Sequence, residues 1–227
     1  MDDVCGILVV DKKIGVTSHD VVARVRKNFG VKKVGHAGTL DPNATGVLVL
    51  LLGKFTKMSG IFLNQDKEYT AVVKLGERTE SGDSDGKVVS ERPVTVKEKE
   101  IRAVVLGFKG ESEQVPPMFS AKKVKGKKLY DLARKGLSVK REPNIINIKE
   151  IEVTRIDLPH VGIRVACGKG TYIRQIADDM GEKLGCGAHL TELRRIRSGD
   201  FTLSRAIPFD ALENMDAERF SESIIRI

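Results

Sequence analysis

The sequence has few cysteines and no long apolar segment. Its 227 residues include three cysteines, an odd number without a CxxC pair: Cys5, Cys167 and Cys186. We therefore expect no disulfide and a reducing compartment. The longest apolar run covers residues 47–52, whereas a helix needs about 20 residues to cross a bilayer. The start of the chain also lacks a signal-peptide pattern. These absences predict a cytoplasmic protein without membrane association.

Motifs for nucleotide hydrolysis, zinc binding and hydrolytic triads are missing or incomplete. Residues 168–171, GKGT, look like the end of a phosphate loop, but Gly170 follows the lysine and the upstream glycine is absent. Cys186 and His189 have CxxH spacing without the second pair that a four-ligand zinc site needs. No nucleophile elbow is present. The sequence therefore predicts neither a P-loop ATPase nor a metal site.

Positive charge is concentrated in one part of the chain. The whole sequence has 39 Lys and Arg against 31 Asp and Glu, a net charge of +8. Residues 120–141 alone contain nine basic residues and one acidic residue, so this segment carries nine minus one, or +8, and the rest is close to neutral. Such a segment is typical of a surface that contacts nucleic-acid phosphates. A solvated surface loop is the alternative.

Apolar patterning predicts strands interleaved with helices. Strands are expected over residues 6–10, 69–75, 145–157 and 162–167. Residues 47–52 fit either a strand or the start of a helix. Thr17 and Asp20 have the spacing of a capping box, and the apolar spacing that follows predicts a helix ending at Gly30. A second amphipathic helix is expected over 172–184. Because regular βαβ spacing is absent, we predict a mixed sheet rather than a doubly wound one.

A glycine-rich loop over Gly35–Gly46, GHAGTLDPNATG, carries the main candidate for chemistry. Glycines let the backbone approach a ligand closely. Pro42 restricts Asp41 to extended conformations, which can hold its carboxylate at a fixed angle. The same spacing also suits an ordinary turn whose aspartate caps the next element, and spacing alone favours that simpler interpretation.

This loop resembles the catalytic motif of the TruB family of pseudouridine synthases with hardly a departure. Five further segments resemble family motifs in the same order: 6–26, 67–71, 115–129, 168–174 and 188–195. The resemblance extends from about Gly6 to about Pro208. Lys13 departs from the pattern, because proline is usual at that position.

The resemblance implies a fold and a domain organisation. The fold class is α+β, with a central mixed, mainly antiparallel sheet flanked by helices. A catalytic domain would cover 1–208 and contain a basic, RNA-gripping thumb insertion at about 113–142. A tail over 209–227 would form one or two helices. We expect no C-terminal PUA domain of the kind that bacterial members usually carry.

The resemblance also implies an activity. The family isomerises uridine to pseudouridine in the T-loop of tRNA, at position 55, after flipping the base out of the stack. No cofactor is implied, since the atoms are only rearranged. We expect the T stem-loop of tRNA as partner, no obligatory protein partner and a monomer. Asp41 would attack the sugar or the base, or stabilise the separated sugar; a carboxylate suits each role.

Site residues follow position by position from the resemblance. Tyr69 would stack on the flipped base. Arg174 would pair with the carboxylate of Asp41. The catalytic residues would be Asp41, Tyr69 and Arg174. His36 would occupy the gap left by the flipped nucleotide or pack beside it. The uracil pocket would include Tyr172 and Leu193, with Lys12 near its entrance. RNA phosphates would be contacted by Lys122, Lys123, Lys125, Lys127 and Lys128.

Two other functions stay open at this point. One is a guide-RNA-dependent, dyskerin-like pseudouridine synthase, although that branch lacks the thumb and needs the PUA module. The other is a non-catalytic protein that binds or folds tRNA. The Asp41, Tyr69 and Arg174 set argues against the second.

Overall fold

The strands and helices follow the apolar pattern of the sequence. The computed structural model describes residues 4–120, 122–124 and 126–226. Its strands are β1 (Gly6–Lys12), β2 (Val34–His36), β3 (Ala44–Leu52), β4 (Lys67–Leu75), β5 (Glu77–Thr79), β6 (Val88–Glu91), β7 (Gly110–Gln114), β8 (Lys123–Val124), β9 (Lys127–Lys128), β10 (Asn144–Asp157), β11 (His160–Cys167), β12 (Ala188–Ser198), β13 (Phe201–Thr202) and β14 (Ile207–Pro208). Its α-helices are α1 (Ser18–Phe29), α2 (Ser59–Leu63), α3 (Glu98–Leu106), α4 (Leu129–Ala133), α5 (Ile173–Lys183), α6 (Ala211–Asn214) and α7 (Ala217–Glu222). Short 3-10 helices cover Gly53–Met58 and Leu203–Arg205.

The predicted strands and both predicted helices are confirmed, and residues 47–52 belong to strand β3. The capping box of α1 is also present: the Thr17 hydroxyl accepts from the N–H of Asp20, and the Asp20 carboxylate accepts from the N–H of Thr17. Gly30 ends the helix with a φ of 65°, and its N–H donates to the carbonyl of Arg26. The pairings are mixed and mainly antiparallel, as the α+β class requires.

The chain divides into two compact units, Met1–Tyr69 with Leu193–Ile227, and Thr70–Glu192. Strands β4 and β12 each contain residues of both units. In the described part of the chain, no helix is long and apolar enough to cross a membrane.

In the first unit, β3 is the central strand. It pairs antiparallel with β1 and β2, and parallel with residues 193–195 of β12. Nearly all of β3 is buried, which explains its continuous apolar sequence. Strand β14 and a bridge from Ile225 to Ile7 pair with the other edge of β1. Helices α1 and α7 meet where the rings of Phe29 and Phe220 stack, with centroids 3.8 Å apart.

In the second unit, the sheet has the strand order β4-β11-β10-β7. Strand β10 pairs antiparallel with both β11 and β7. Helices α3 and α5 contact each other, and each buries an apolar face that includes Ile101 and Val105 in α3 and Ile176 and Met180 in α5. Strands β5 and β6 form a separate antiparallel pair, as do β8 and β9.

Candidate active site

The loop between β2 and β3 holds Asp41 by hydrogen bonds on both sides. The Ser18 hydroxyl accepts from the N–H of Leu40 (2.9 Å) and donates to the carbonyl of the same residue (3.1 Å). The N–H of Gly15 donates to the carbonyl of Pro42 over 3.0 Å. Leu40 is buried and Asp41 is half-buried. The residues before and after Asp41 are therefore tied to the β1–α1 segment, which fixes the backbone that carries the carboxylate.

Close approach to β12 explains one of the motif glycines. Gly46 has a φ of +101°, and a Cβ at this position would lie 2.2 Å from the carbonyl oxygen of Arg195. Any other residue would clash with that backbone and would also be strained. The end of the loop and β12 therefore approach each other more closely than a side chain at position 46 would permit.

Lys12 lies beneath this loop with its side chain fully buried. Its Nζ donates to the carbonyls of Lys13 (3.0 Å), Val16 (2.7 Å) and Pro42 (3.0 Å). Burial lowers the pKa of Lys12 to about 8; the Asp41 carboxylate opposes this shift and the Arg195 guanidinium adds to it. Lys12 thus ties the end of β1 to the loop. A contact between Lys12 and substrate stays a prediction.

His36, the last residue of β2, is half-buried. Its Nδ1 atom is buried and has no hydrogen-bond partner among the described residues. Burial lowers the pKa of His36, and the positive charges of Arg195 and His19 lower it further. The ring is therefore neutral at neutral pH, and one of its nitrogens is available for a hydrogen bond to a ligand.

Tyr69 and Leu193 lie in the same unit as Asp41. Both are partly buried and pack against the apolar cluster that contains Leu40 and Ala44. The parallel pairing of β12 with β3 places Leu193 opposite Ala44, at the end of the catalytic-motif loop. Five of the predicted site residues thus belong to this unit: Lys12, His36, Asp41, Tyr69 and Leu193.

Arg195 is a residue of this site that the sequence analysis did not single out. It is 1% exposed, its Nε donates to the carbonyl of Val47 (2.7 Å), and its Nη2 donates to that of Gly38 (3.1 Å). No carboxylate pairs with it among the described residues. The indication of this role in the sequence was a pair of consecutive arginines, which lie in strand β12. Alternation places Arg194 and Arg195 on opposite faces, but it does not say which face is buried.

Arg174 lies in the other unit, at the start of α5, and is 6% exposed. Its Nη1 donates to the carbonyl of Ser81 (3.2 Å) and lies 3.2 Å from the carboxylate of Asp83, while its Nη2 donates to the carbonyl of Phe119 (2.6 Å). Asp83 is thus a carboxylate partner that the sequence analysis missed, because a Gly/Asp/Ser loop gives no indication of a distant partner. The expected pairing of Arg174 with Asp41 stays a prediction.

Tyr172 precedes α5, and the side-chain amide of Gln114 holds its backbone. Its N–H donates to Oε1 of Gln114 (2.8 Å), and its carbonyl accepts from Nε2 of the same side chain (3.1 Å). Gln114 is buried at the end of β7. The backbone at Tyr172 is therefore fixed, as a residue that lines a pocket requires.

The basic segment includes the short β8–β9 pair and α4. The Nζ of Lys122 donates to Oδ1 of Asn144 over 2.7 Å. Lys125 lies outside the described residues, as do the side chains of Lys123, Lys127 and Lys128. Within residues 4–120, 122–124 and 126–226, no group of three or more His, Cys, Asp and Glu could hold a metal ion.

Solved structures define the class of protein. One chain of the "Crystal Structure of a Cbf5-Nop10-Gar1 Complex" matches with a TM-score of 0.74 and 34% identity over 97% of this chain and 59% of that one. A chain of the "Structure of H/ACA RNP bound to a substrate RNA containing 2'-deoxyuridine" matches with a TM-score of 0.70 and 31% identity, over 96% and 58%. This chain therefore spans less than two thirds of those chains. Its fold is that of the pseudouridine synthases.

Sequence relatives define the family within that class. Residues 26–173 match the model of the "TruB family pseudouridylate synthase (N terminal domain)", and residues 174–226 match the "tRNA pseudouridylate synthase B C-terminal domain". The chain belongs to the TruB family. It is 48% identical to tRNA pseudouridine synthase B of Opitutus terrae over 98% of this chain and 92% of the relative. It is 49% identical to the same-named protein of Chlamydia felis, over 93% and 90%.

Proposed function

We propose that this chain isomerises uridine to pseudouridine in the T-loop of tRNA, at position 55, as a stand-alone enzyme without a cofactor. The relatives named tRNA pseudouridine synthase B support the substrate class. The observation that carries the proposal is the fixing of Asp41 between Ser18 on one side and Gly15 and Lys12 on the other. A catalytic carboxylate has to be held in one place while the substrate base moves.

The reaction breaks the bond from C1′ of the ribose to N1 of uracil and forms a bond from C1′ to C5. The proton on C5 is lost and N1 gains one, so the composition of the nucleotide is unchanged. Asp41 provides an anion that can add to the separated fragment or stabilise its positive charge. The half-buried position of Asp41 strengthens either interaction, because water screens it less.

The other residues divide between catalysis and binding. In this proposal, Tyr69 and Arg174 act with Asp41. His36, Tyr172 and Leu193 surround the substrate nucleotide, and Lys12 lies near the entrance of the site. The neutral ring of His36 and its unpartnered Nδ1 support a hydrogen bond to the RNA. The ammonium of Lys12 already has three carbonyl partners, which supports positioning of the Asp41 loop rather than direct contact.

The proposal extends to organisation and partners. Residues 1–208 form the catalytic domain, with the thumb insertion at about 113–142, and residues 209–227 form the tail. The lysines of the insertion, Lys122 included, contact phosphates of the T stem-loop. The protein works in the cytoplasm as a monomer without an obligatory protein partner.

The test is pseudouridine formation in an unmodified tRNA transcript, mapped by nucleotide, with no guide RNA, protein partner or added metal. The wild type is compared with Asp41→Asn, which keeps the size of the side chain and removes its charge. We expect modification at the T-loop uridine by the wild type and none by the variant, a loss of several orders of magnitude, because the variant lacks the anion.

Other outcomes distinguish the alternatives. Modification that requires an added guide RNA would indicate the guide-dependent branch. Binding of tRNA without modification by either protein would indicate a binding or folding protein. Equal activity of wild type and Asp41→Asn would contradict the role of Asp41.

A further inference from the structure

A pocket in the second unit lies where the two ends of the basic insertion meet. Its volume is about 270 Å³, and it is lined by Val115, Pro117 and Met118 near the start of the insertion, Arg141 near its end, residues 78–82 and the start of α5. Pockets that bind drug-sized ligands have volumes of about 300–1,000 Å³, so this pocket is smaller. The pocket therefore suits a small group rather than a whole nucleotide.

Arg141 is the residue of this pocket whose hydrogen bonds are incomplete. Its Nη1 donates to the carbonyl of Pro116 over 3.0 Å, and its Nε is buried without a hydrogen-bond partner among the described residues. No carboxylate in the described part of the chain forms an ion pair with it. A buried N–H donor without an acceptor is unfavourable, because it has lost its hydrogen bond to water. An incoming group that accepts hydrogen bonds would remove this cost.

The other two arginines of the pocket already have carboxylate partners. Arg78 forms two hydrogen bonds with Asp178, of 2.6 and 3.1 Å, and Arg174 lies 3.2 Å from Asp83. These pairs hold the walls in place. Of these three arginines, Arg141 is the one without a carboxylate partner among the residues that the structure describes.

The charge of the lining favours an anion. The three arginines are opposed within the lining by Asp178 and Glu80. Glu80 is exposed at the rim, and Asp178 is engaged by Arg78. An arginine fork of N–H donors without acceptors matches the oxygens of a phosphate, which accept two hydrogen bonds side by side.

We infer that this pocket, the Arg141 pocket, binds one phosphate of the RNA backbone. The inference rests on the proposed function, because RNA is the polyanion which that function brings to the basic insertion. Arg141 then adds one phosphate contact to those proposed for the insertion's lysines. The contact sets the position of the RNA and reads no base.

The test is equilibrium binding of a T-arm stem-loop RNA over a series of KCl concentrations. All proteins carry Asp41→Asn, so that binding is measured without turnover. Arg141→Gln is compared with Arg155→Gln, which removes the same charge from an exposed arginine of the same unit. We expect Arg141→Gln to weaken binding roughly tenfold and to lower the slope of log affinity against log salt by about 0.7–0.9, the contribution of one phosphate.

Two further measurements distinguish the loss of a phosphate contact from a general loss of structure in the variant. Arg141→Lys should restore the salt slope, because it restores the charge, and only part of the affinity, because it lacks the fork. In a series of RNAs, a methylphosphonate replaces one phosphate at a time. One of these replacements should weaken binding to the protein that retains Arg141 and leave binding to Arg141→Gln unchanged. This second comparison holds even where the variant is less stable, because both RNAs are bound by the same protein.

The failure of this inference is distinct from failure of the proposed function. The pocket assignment would be overturned if Arg141→Gln and Arg155→Gln had equal salt slopes and no phosphate replacement had an effect that depended on Arg141. The wild type would still form pseudouridine in that case. A wild type that neither binds nor modifies tRNA would overturn the proposed function itself.

Discussion

Two buried cations hold the loop that carries Asp41. Burying a charge is costly unless it is paired or hydrogen-bonded. Lys12 is satisfied by three backbone carbonyls and Arg195 by two. Three of these five carbonyls, those of Pro42, Gly38 and Val47, belong to the Asp41 loop or border it. The free energy of burying the two cations is thus offset by bonds that fix the loop.

The lowered pKa of Lys12 predicts a pH-dependent stability. The pKa is about 8 in the folded protein and 10.5 for an ordinary lysine. Between these values the unfolded chain binds more protons, so the free energy of unfolding rises with pH. Relative to Lys12→Met, the wild type should gain ~1–3 kcal/mol between about pH 8 and about pH 10.5. Urea unfolding of both proteins across this range measures the difference.

The neighbouring lysine is the control for this experiment. Lys13 is exposed and pairs with Asp210, so Lys13→Met removes a lysine from the same segment without removing a buried charge. A Lys12→Met difference that changes with pH no more than the Lys13→Met difference would show that the folded protein does not lower the pKa of Lys12.

At the scale of elements, the helix α7 is part of the core that supports the loop carrying Asp41. Phe220 is 1% exposed, stacks on Phe29 of α1, and belongs to the same apolar cluster as Leu40. Helix α1 in turn begins at Ser18, which bonds to Leu40. The tail therefore stabilises the helix whose first turn holds the loop.

Truncating this ring should destabilise the protein. We expect Phe220→Ala to lower the free energy of unfolding by about 3–5 kcal/mol, because it removes a large buried side chain and leaves a cavity. Ile61→Ala is the control, since Ile61 is exposed in the same unit and its loss should change stability by about 0.5 kcal/mol or less. Similar unfolding curves for the two variants would mean that the tail is not part of the cooperative core.

At the scale of the whole molecule, the net charge of +8 is nearly all in residues 120–141. Changing Lys125, Lys127 and Lys128 to Gln should weaken tRNA binding and lower the salt slope by about 2–3, since each phosphate contact contributes 0.7–0.9. Changing Lys97, Lys99 and Lys109 to Gln gives the same net charge. Salt slopes that match between the two triple variants would indicate that only overall charge matters.

Local sequence determined much of the fold. The capping box of α1, its end at Gly30 and the strand β1 depend on contacts between residues close in the chain, which spacing reveals. The sequence of residues 47–52 fitted either a strand or a helix, because a short apolar run suits both. In the structure these residues belong to strand β3, which pairs with β1 and β12. The catalytic-motif loop was found through resemblance, since its spacing alone also fits a turn.

The tertiary structure decided which charged residues are buried and with which partners. Arg195 is buried because β12 pairs in parallel with β3, and Arg174 meets Asp83 because a loop 91 residues earlier folds onto the start of α5. The pocket at Arg141 requires both ends of the insertion to converge. The sequence by itself determined the local elements, the family and the position of Asp41. Partners distant in sequence depend on strand order and packing, which local patterns do not encode.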